Sequence, residues 1–404
     1  MTNLPSCKIT LLAAALLAMH AVAAEPGAPN PPSAGGTNPL VWRTSTYFAI
    51  GSSNASCDSL GSRPVAKDHN FLQSWKVTQP AKRFRLWFCN GAQGNTGTAF
   101  TLSGATEVPG GIFLPWTFDG KPSFSVPAGG GAIFCTDWQE APMAANDLFY
   151  TKGYCSNDGA GFDMPTFSSP ITESYANPSG TFDSGQDELG KDASGIAMGT
   201  GPWAAAHYVK GMFRCVMIET DSLNADRLPS VDIWGDSIGA GTMSIPWVTQ
   251  VVLASGNPMA NLCVHGQNQT QIPKLAMVRA QMARGEIAIC EHGRNSSDTA
   301  ALAALWKYLR GLGYKKIIQT RPSDYIGKGN VLPSQSGSAA IRAFIDASVK
   351  VGDGPDAVWD FYGIAQPQGV WVDGWSKDML HPTVEGDKGI ANAGIAAGWT
   401  KDLK

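Results

Sequence analysis

The stretch "VDIWGDSIGAG" (residues 231–241) ends a short apolar run in a serine set between two glycines. Gly, Asp and Ser are the residues tight turns favour, so the stretch has two readings. Ser237 is either a nucleophile at the end of a strand or a small polar residue in a turn. The surrounding chain decides between them, because a nucleophilic hydroxyl needs a base, an orienting acid and donors for an oxyanion.

From residue 231 onward strands alternate with helices. "VDIW" (231–234), "MANLCV" (259–264), "EIAIC" (286–290), "KKIIQT" (315–320) and "DAVWDFYGI" (356–364) read as strands. "IPWVTQVVLA" (245–254), "PKLAMVRAQMAR" (273–284), "DTAALAALWKYLRGLG" (298–313), "GSAAIRAFIDASVKV" (337–351) and "EGDKGIANAGIAAGWTKDL" (385–403) read as helices. Such alternation predicts an α/β/α three-layer domain over 230–404, with a parallel sheet covered on both faces. Ligands of such sheets bind outside the carboxyl ends of the strands. Ser237 stands there, as do Gly266 in "NLCVHGQNQ" (261–269) and Gly293 and Asn295 in "CEHGRNSSD" (290–298). Asp378 and His381 follow in "DMLHPT" (378–383), just before the last helix.

These four segments resemble the four sequence blocks of the SGNH (GDSL-like) hydrolase family. "GDSI" is similar to the nucleophile block, Gly266 to the glycine block, "GRN" (293–295) to the Gly-x-Asn block and "DMLHP" (378–382) to the Asp-x-x-His block. The resemblance covers roughly residues 230–404 and implies an SGNH/flavodoxin-like fold. It implies Ser237 as nucleophile, His381 as general base and acid, and Asp378 as the carboxylate that orients the imidazole. It also implies an oxyanion hole made by the backbone N–H groups of Ser237 and Gly266 and the side-chain amide of Asn295. One departure is Ser296, where the family often has Asp. "GDSIG" also fits the Gly-x-Ser-x-Gly elbow of α/β-hydrolases, but the elbow here ends the first strand of its region, and no HGGG-type loop lies upstream.

Each residue also has a plainer role. Asn295 could cap the helix that starts near Asp298, His381 could be an exposed loop residue, and Asp236 is expected to hold the turn rather than to react. Cys263-Val-His265-Gly266 and Cys290-Glu-His292-Gly293 place a thiol and an imidazole on one face of each of two strands. A Cys₂His₂ metal site is conceivable there. The wide spacing, and a first strand expected between the two, favour buried thiols and site-lining histidines, so no metal and no cofactor is expected.

Residues 40–220 have a different rhythm. Short apolar runs such as "RFRLWFCN" (83–90) and "GAIFCTDW" (131–138) alternate with Gly-rich turns, which predicts an all-β sandwich or jelly-roll-like accessory domain. Trp42, Trp75, Trp87, Trp116, Trp138 and Trp203 lie in this region, where tryptophans serve more often as core than as sugar-stacking platforms.

The N-terminus reads as an export signal (1–24): Lys8, the apolar run "ITLLAAALLA" (9–18), then "AVAA" (21–24). A Pro/Gly-rich linker (25–39) follows. The run is too short to span a membrane, and no later segment is long enough. Export to a periplasmic or extracellular space fits the eight cysteines. Cys7 would leave with the signal, so an odd number remains, and bridges are expected among Cys57, Cys89, Cys135, Cys155 and Cys215. A net charge of -3 with no Lys/Arg-rich run excludes a nucleic-acid face. The expected protein is a secreted esterase acting on an acyl ester, such as that of an O-acylated polysaccharide. An acyltransferase using the same site, and a non-catalytic carbohydrate-binding or adhesion protein, are the alternatives.

Overall fold

The structure is a computed structural model that describes residues 43–44, 62–65, 68–77, 79–90, 97–145, 147–158, 160, 162–165, 184–186, 217–222, 228–241, 245–263, 266–271, 285–324, 326–327, 330–331 and 338–404. The export signal, the linker, the helix expected over 273–284, His265, Cys57, Cys215, Trp42 and Trp203 lie outside the described residues.

Up to residue 222 the described residues form strands and connections. One antiparallel sheet runs β1 (Arg43–Thr44), β13 (Met217–Ser222), β4 (Ala81–Cys89), β8 (Ile133–Cys135), with β9 (Gln139–Met143) also on β4. A second runs β12 (Ser184–Gln186), β3 (Asp68–Lys76), β10 (Leu148–Ser156), β5 (Phe100–Val108), β6 (Ile112–Pro115), with β7 (Phe124–Val126) also on β5. β2 (Ser62–Val65) and β11 (Phe162–Pro165) pair separately. Aromatic side chains join the two sheets: Phe84 of β4 meets Phe149 of β10 at 5.3 Å, and Phe124 of β7 stacks on Phe134 of β8 at 4.1 Å. Trp87 and Trp116 are buried, and the guanidinium groups of Arg83 and Arg85 lie 4.6 and 4.8 Å from the centroid of the half-buried ring of Trp138.

The second region is a five-stranded, wholly parallel sheet in the order β15 (Met259–Asn261), β14 (Val231–Gly235), β16 (Ile287–Glu291), β17 (Lys316–Thr320), β20 (Ala357–Trp359). Every residue of β14 and β16 is buried, which fits a sheet covered on both faces. Alternation along β16 sends Ile287 and Ile289 to one face. There they pack with α2 (Trp247–Ser255) through Val248 and Val251, and with α6 (Val384–Ala396) through Ile390 and Ala391. Ala288 and Cys290 go to the other face, against Leu302, Leu305 and Leu309 of α3 (Thr299–Gly311) and Ile341 and Ile345 of α4 (Ser338–Ser348). The layers are helix, sheet, helix. The short α1 (Ser237–Ala240) follows β14, and β18 (Ile326–Gly327) pairs with β19 (Asn330–Val331) in the loop before α4.

Three boundaries differ from the sequence reading, each for a local reason. The strand expected over 356–364 ends at Trp359, because the side chain of Asp360 accepts from Gly363 N–H at 3.0 Å and starts α5 (Phe361–Ala365). The strand expected to reach Val264 ends at Asn261, whose Oδ1 accepts the N–H of Cys263 at 3.0 Å. The last helix stops at Ala396: Gly398 adopts φ 88°, and a 3₁₀ turn over Trp399–Leu403 follows.

Two of the cysteines expected to bridge are unbridged. Cys135 and Cys155 carry free thiols inside the β-rich core. Both behave there as small apolar side chains: burial pushes the Cys135 thiol up to about 12 and the Cys155 thiol well above its usual value. Among the described residues no helix is long and apolar enough to cross a membrane.

Candidate active site

The strand order reverses at β14. The chain steps from it to β15 on one side, then returns to β16 on the other, which opens a crevice at the carboxyl ends of these strands. Ser237 stands at the end of β14 and Asn295 in the loop after β16.

Ser237 is held by its neighbours. Asp236 is the N-cap of α1, its Oδ1 accepting from Ile238 N–H at 2.9 Å. Gly239 N–H donates to Glu291 Oε2 at 3.0 Å, Asp236 N–H reaches the same oxygen at 3.4 Å, and Asn261 Nδ2 donates to the Gly239 carbonyl at 2.7 Å. The two glycines of "GDSIG" have a packing reason. A Cβ on Gly235 would lie 2.7 Å from Glu291 Oε2 and 2.8 Å from Cys263 Sγ, and one on Gly239 would lie 2.6 Å from the same sulfur. Only a hydrogen fits at either position.

His381 and Asp378 reach the site from the loop that enters α6. Asp378 Oδ1 accepts the N–H groups of Leu380 and His381 at 2.9 and 2.7 Å, closing a tight turn in which Met379 takes φ 60°. Trp371 Nε1 donates to the Met379 carbonyl at 3.0 Å and pins the turn from outside. Thr383, two residues beyond His381, caps α6 through Gly386 N–H at 3.1 Å. The result is a continuous line: Ser237 Oγ lies 2.9 Å from His381 Nε2, and His381 Nδ1 lies 2.7 Å from Asp378 Oδ2. The structure thus brings these three together across more than 140 residues of sequence. A carboxylate accepting from Nδ1 leaves Nε2 able to take the serine proton.

Burial alone would raise the Asp378 carboxyl. The hydrogen bond from the His381 side chain, with those from the His381 and Leu380 N–H groups, outweighs it and holds the carboxyl below the usual carboxylate range.

Asn295 sits beside this line but is engaged. Its Nδ2 donates to Asp236 Oδ2 at 2.9 Å and to the Gln267 carbonyl at 3.0 Å. It does not cap α3; Asp298 does, its side chain accepting from Ala301 N–H at 2.9 Å. Gly266, next to Gln267, is exposed at φ 70°, a left-handed conformation that suits glycine. Asp236 therefore serves the turn on one oxygen and the Asn295 amide on the other.

Two neighbours escaped the sequence reading. Glu291, the last residue of β16, is 5% exposed, and Arg294, also 5% exposed, donates to Ser323 Oγ, while its Nε and Nη2 have no hydrogen-bond partner among the described residues. Burial and the Asp236 charge push the Glu291 carboxyl well above its usual range, and Arg294 pulls the other way. Burial likewise raises Asp236 and lowers Arg294. The available signal was one acid closing an otherwise apolar strand, "IAICE" (287–291).

Of the Cys-x-His pairs, Cys290 Sγ lies 3.8 Å from His292 Nδ1, and burial pushes that thiol up to about 12. Among the described residues no group of three His, Cys, Asp or Glu side chains is arranged to hold a metal ion.

No family model matches the sequence, and no curated protein matches it. Solved structures similar to this chain include a GDSL-like lipase from Bacteroides thetaiotaomicron, at 17% identity and a TM-score of 0.32, covering 43% of this chain and 89% of that one. A salicylyl-acyltransferase from a tetracycline biosynthetic pathway is 12% identical, with a TM-score of 0.36 and 83% of each chain covered. An active-site mutant of a family two carbohydrate esterase from Clostridium thermocellum is 9% identical, with a TM-score of 0.33, covering 90% of this chain and 99% of that one. At these values the site is read from the geometry of this chain itself. In its four sequence segments the chain resembles the SGNH hydrolases, and GDSL-like lipases and carbohydrate esterases are among its structural neighbours.

Proposed function

We propose that this protein is a serine esterase that cleaves acyl esters through a covalent acyl-enzyme. The observation that carries the reading is the hydrogen-bonded line from Ser237 Oγ through His381 to Asp378, with links of 2.9 and 2.7 Å. In this reading His381 Nε2 takes the hydroxyl proton as Ser237 Oγ attacks the ester carbonyl. Asp378 holds the tautomer and stabilises the imidazolium. The same proton then goes to the leaving alcohol, and a water activated by His381 releases the acid.

The oxyanion is assigned to the backbone N–H groups of Ser237 and Gly266 and to the Asn295 amide. Both amide hydrogens of Asn295 already have acceptors. An oxyanion is a stronger acceptor than a peptide carbonyl, so the hydrogen now on the Gln267 carbonyl turns to the oxyanion as charge develops. Asp236 keeps the other hydrogen and so keeps the amide in place.

Residues 1–24 are read as a cleaved export signal, and the mature enzyme as periplasmic or extracellular. The β-rich region 40–220 is read as a sandwich-type accessory domain, and the hydrolase domain as 230–404. A secreted esterase with such a partner domain suits an O-acylated polysaccharide. The burial of Trp87 and Trp116, and the contacts of Trp138 with two guanidinium groups, argue that these three rings support the domain rather than stack on sugars.

The test is hydrolysis of 4-nitrophenyl acetate and longer-chain esters by the mature protein beside Ser237→Ala. Turnover by the parent that vanishes in the variant supports the reading, and equal activity of the two overturns it. Asn295→Ala should fold normally and lose about 10²–10³ in kcat.

A further inference from the structure

Glu291 stands directly opposite Gly235 in the register of β14 and β16, beneath the turn that carries Ser237. One of its oxygens, Oε2, accepts from Gly239 N–H at 3.0 Å and from Asp236 N–H at 3.4 Å. Those residues flank Ser237 on either side, so a single carboxyl oxygen ties down both ends of the segment bearing the nucleophile. The fit is close: the same oxygen lies 2.7 Å from where a Cβ on Gly235 would stand and 3.0 Å from one on Gly239.

This placement is a poor choice for stability alone. Glu291 is 5% exposed and shares the interior with a second carboxyl, Asp236, and one buried guanidinium, Arg294. An apolar side chain of similar volume would avoid that desolvation. What an apolar residue lacks is an acceptor for the two N–H groups of the turn.

We infer that Glu291 is a positioning residue, whose Oε2 clamps the Asp236 and Gly239 N–H groups and thereby keeps Ser237 Oγ in line with His381 Nε2. The inference rests on the reading of Ser237 as the nucleophile. It assigns Glu291 no contact with substrate. Burial and Asp236 push its carboxyl up, so a neutral glutamine, which retains one acceptor oxygen, is a close mimic.

The test compares Glu291→Gln, Glu291→Met and Glu291→Asp in the full chain. Methionine keeps the volume and removes the acceptor, while aspartate keeps the carboxyl group and withdraws its oxygens by one methylene. With a 4-nitrophenyl ester, Glu291→Gln should keep kcat within about threefold, whereas Met and Asp should each lower it about 10²-fold with KM within about twofold, the scale of a misplaced reacting group. If Glu291→Met does not fold, Glu291→Asp carries the comparison. Crystal structures of the variants give a readout independent of turnover. The Ser237–His381 hydrogen bond should persist in Glu291→Gln and open in Glu291→Met or Asp. Unchanged kcat and an intact bond in Met and Asp would overturn the inference, as would equal loss in Gln. If the parent fails on every ester while the bond still opens as stated, the esterase reading fails and the positioning role stands.

Discussion

Ser237 reacts or idles according to what lies within a few ångströms of it, and Gly239 shows how little room that leaves. An alanine there would drive its methyl to within 2.6 Å of Cys263 Sγ, so Gly239→Ala should destabilise by about 1–3 kcal/mol. Adding Cys263→Ala removes the sulfur and should restore part of the loss. Urea unfolding of the two single variants and the double variant measures the coupling. Asp378 gives a prediction with a sign. Its carboxyl is held below the usual range, so the stability it contributes is complete above the unfolded value of about 3.9 and fades as pH falls through the lower folded value. Asp378→Asn should therefore melt below the parent at pH 7 and converge with it in acid. The Asp378 side chain is 54% exposed, which keeps the difference small and salt-sensitive. The effect on kcat should be far larger, on the order of 10³-fold or more, because an asparagine fixes the wrong tautomer. At this scale the sequence was enough to single out Ser237, Asp378 and His381, which the structure brings within hydrogen-bond reach of one another. Glu291 and Arg294 were not legible, because their meaning lies in the groups that pack against them, the turn after β14 for Glu291 and Ser323 for Arg294.

Elements were legible where local signals agree. The register of α3 follows from its apolar spacing, and Asp298 caps it with a bond to Ala301 N–H. Asp298→Ala should cost about 0.5–2 kcal/mol and leave kcat unchanged, since the residue touches the helix and not the reacting line. Circular dichroism melts beside ester kinetics would separate the two. The misread boundaries share a cause. In "DAVWDFYGI" the apolar run continues through Phe361 and Tyr362, but Asp360 accepts from Gly363 N–H and turns strand into helix. Hydrophobicity reports burial, which a buried strand and a buried helix share, and only the capping bond separates them. The last helix stops for the opposite reason. Gly398 takes a left-handed φ, so that the 3₁₀ turn bearing Trp399 folds back onto Gly394, leaving no room there for a side chain.

Across the whole molecule, the change of rhythm near residue 230 was enough to separate a strand-rich region from an alternating one. The parallel sheet then fixes where chemistry can occur. Bridging of Cys135 and Cys155 was misjudged because a count and a compartment say nothing of burial. Cys135, Cys155 and Cys290 are buried among apolar side chains, where burial raises their thiols. Iodoacetamide at pH 8 should leave all three unmodified in the native protein and modify them in denaturant, as read by peptide mass spectrometry. Modification of any of them in the native protein would contradict their placement.

If Ser237 is an activated nucleophile, a fluorophosphonate should label it covalently. Intact mass before and after reaction, followed by peptide mapping, reports both stoichiometry and position. One adduct per chain is expected, on the peptide bearing Ser237, slowed by at least about 10²-fold in His381→Ala and absent in Ser237→Ala. No adduct in the parent under conditions that label a serine esterase control, or an adduct elsewhere that persists in Ser237→Ala, would contradict it.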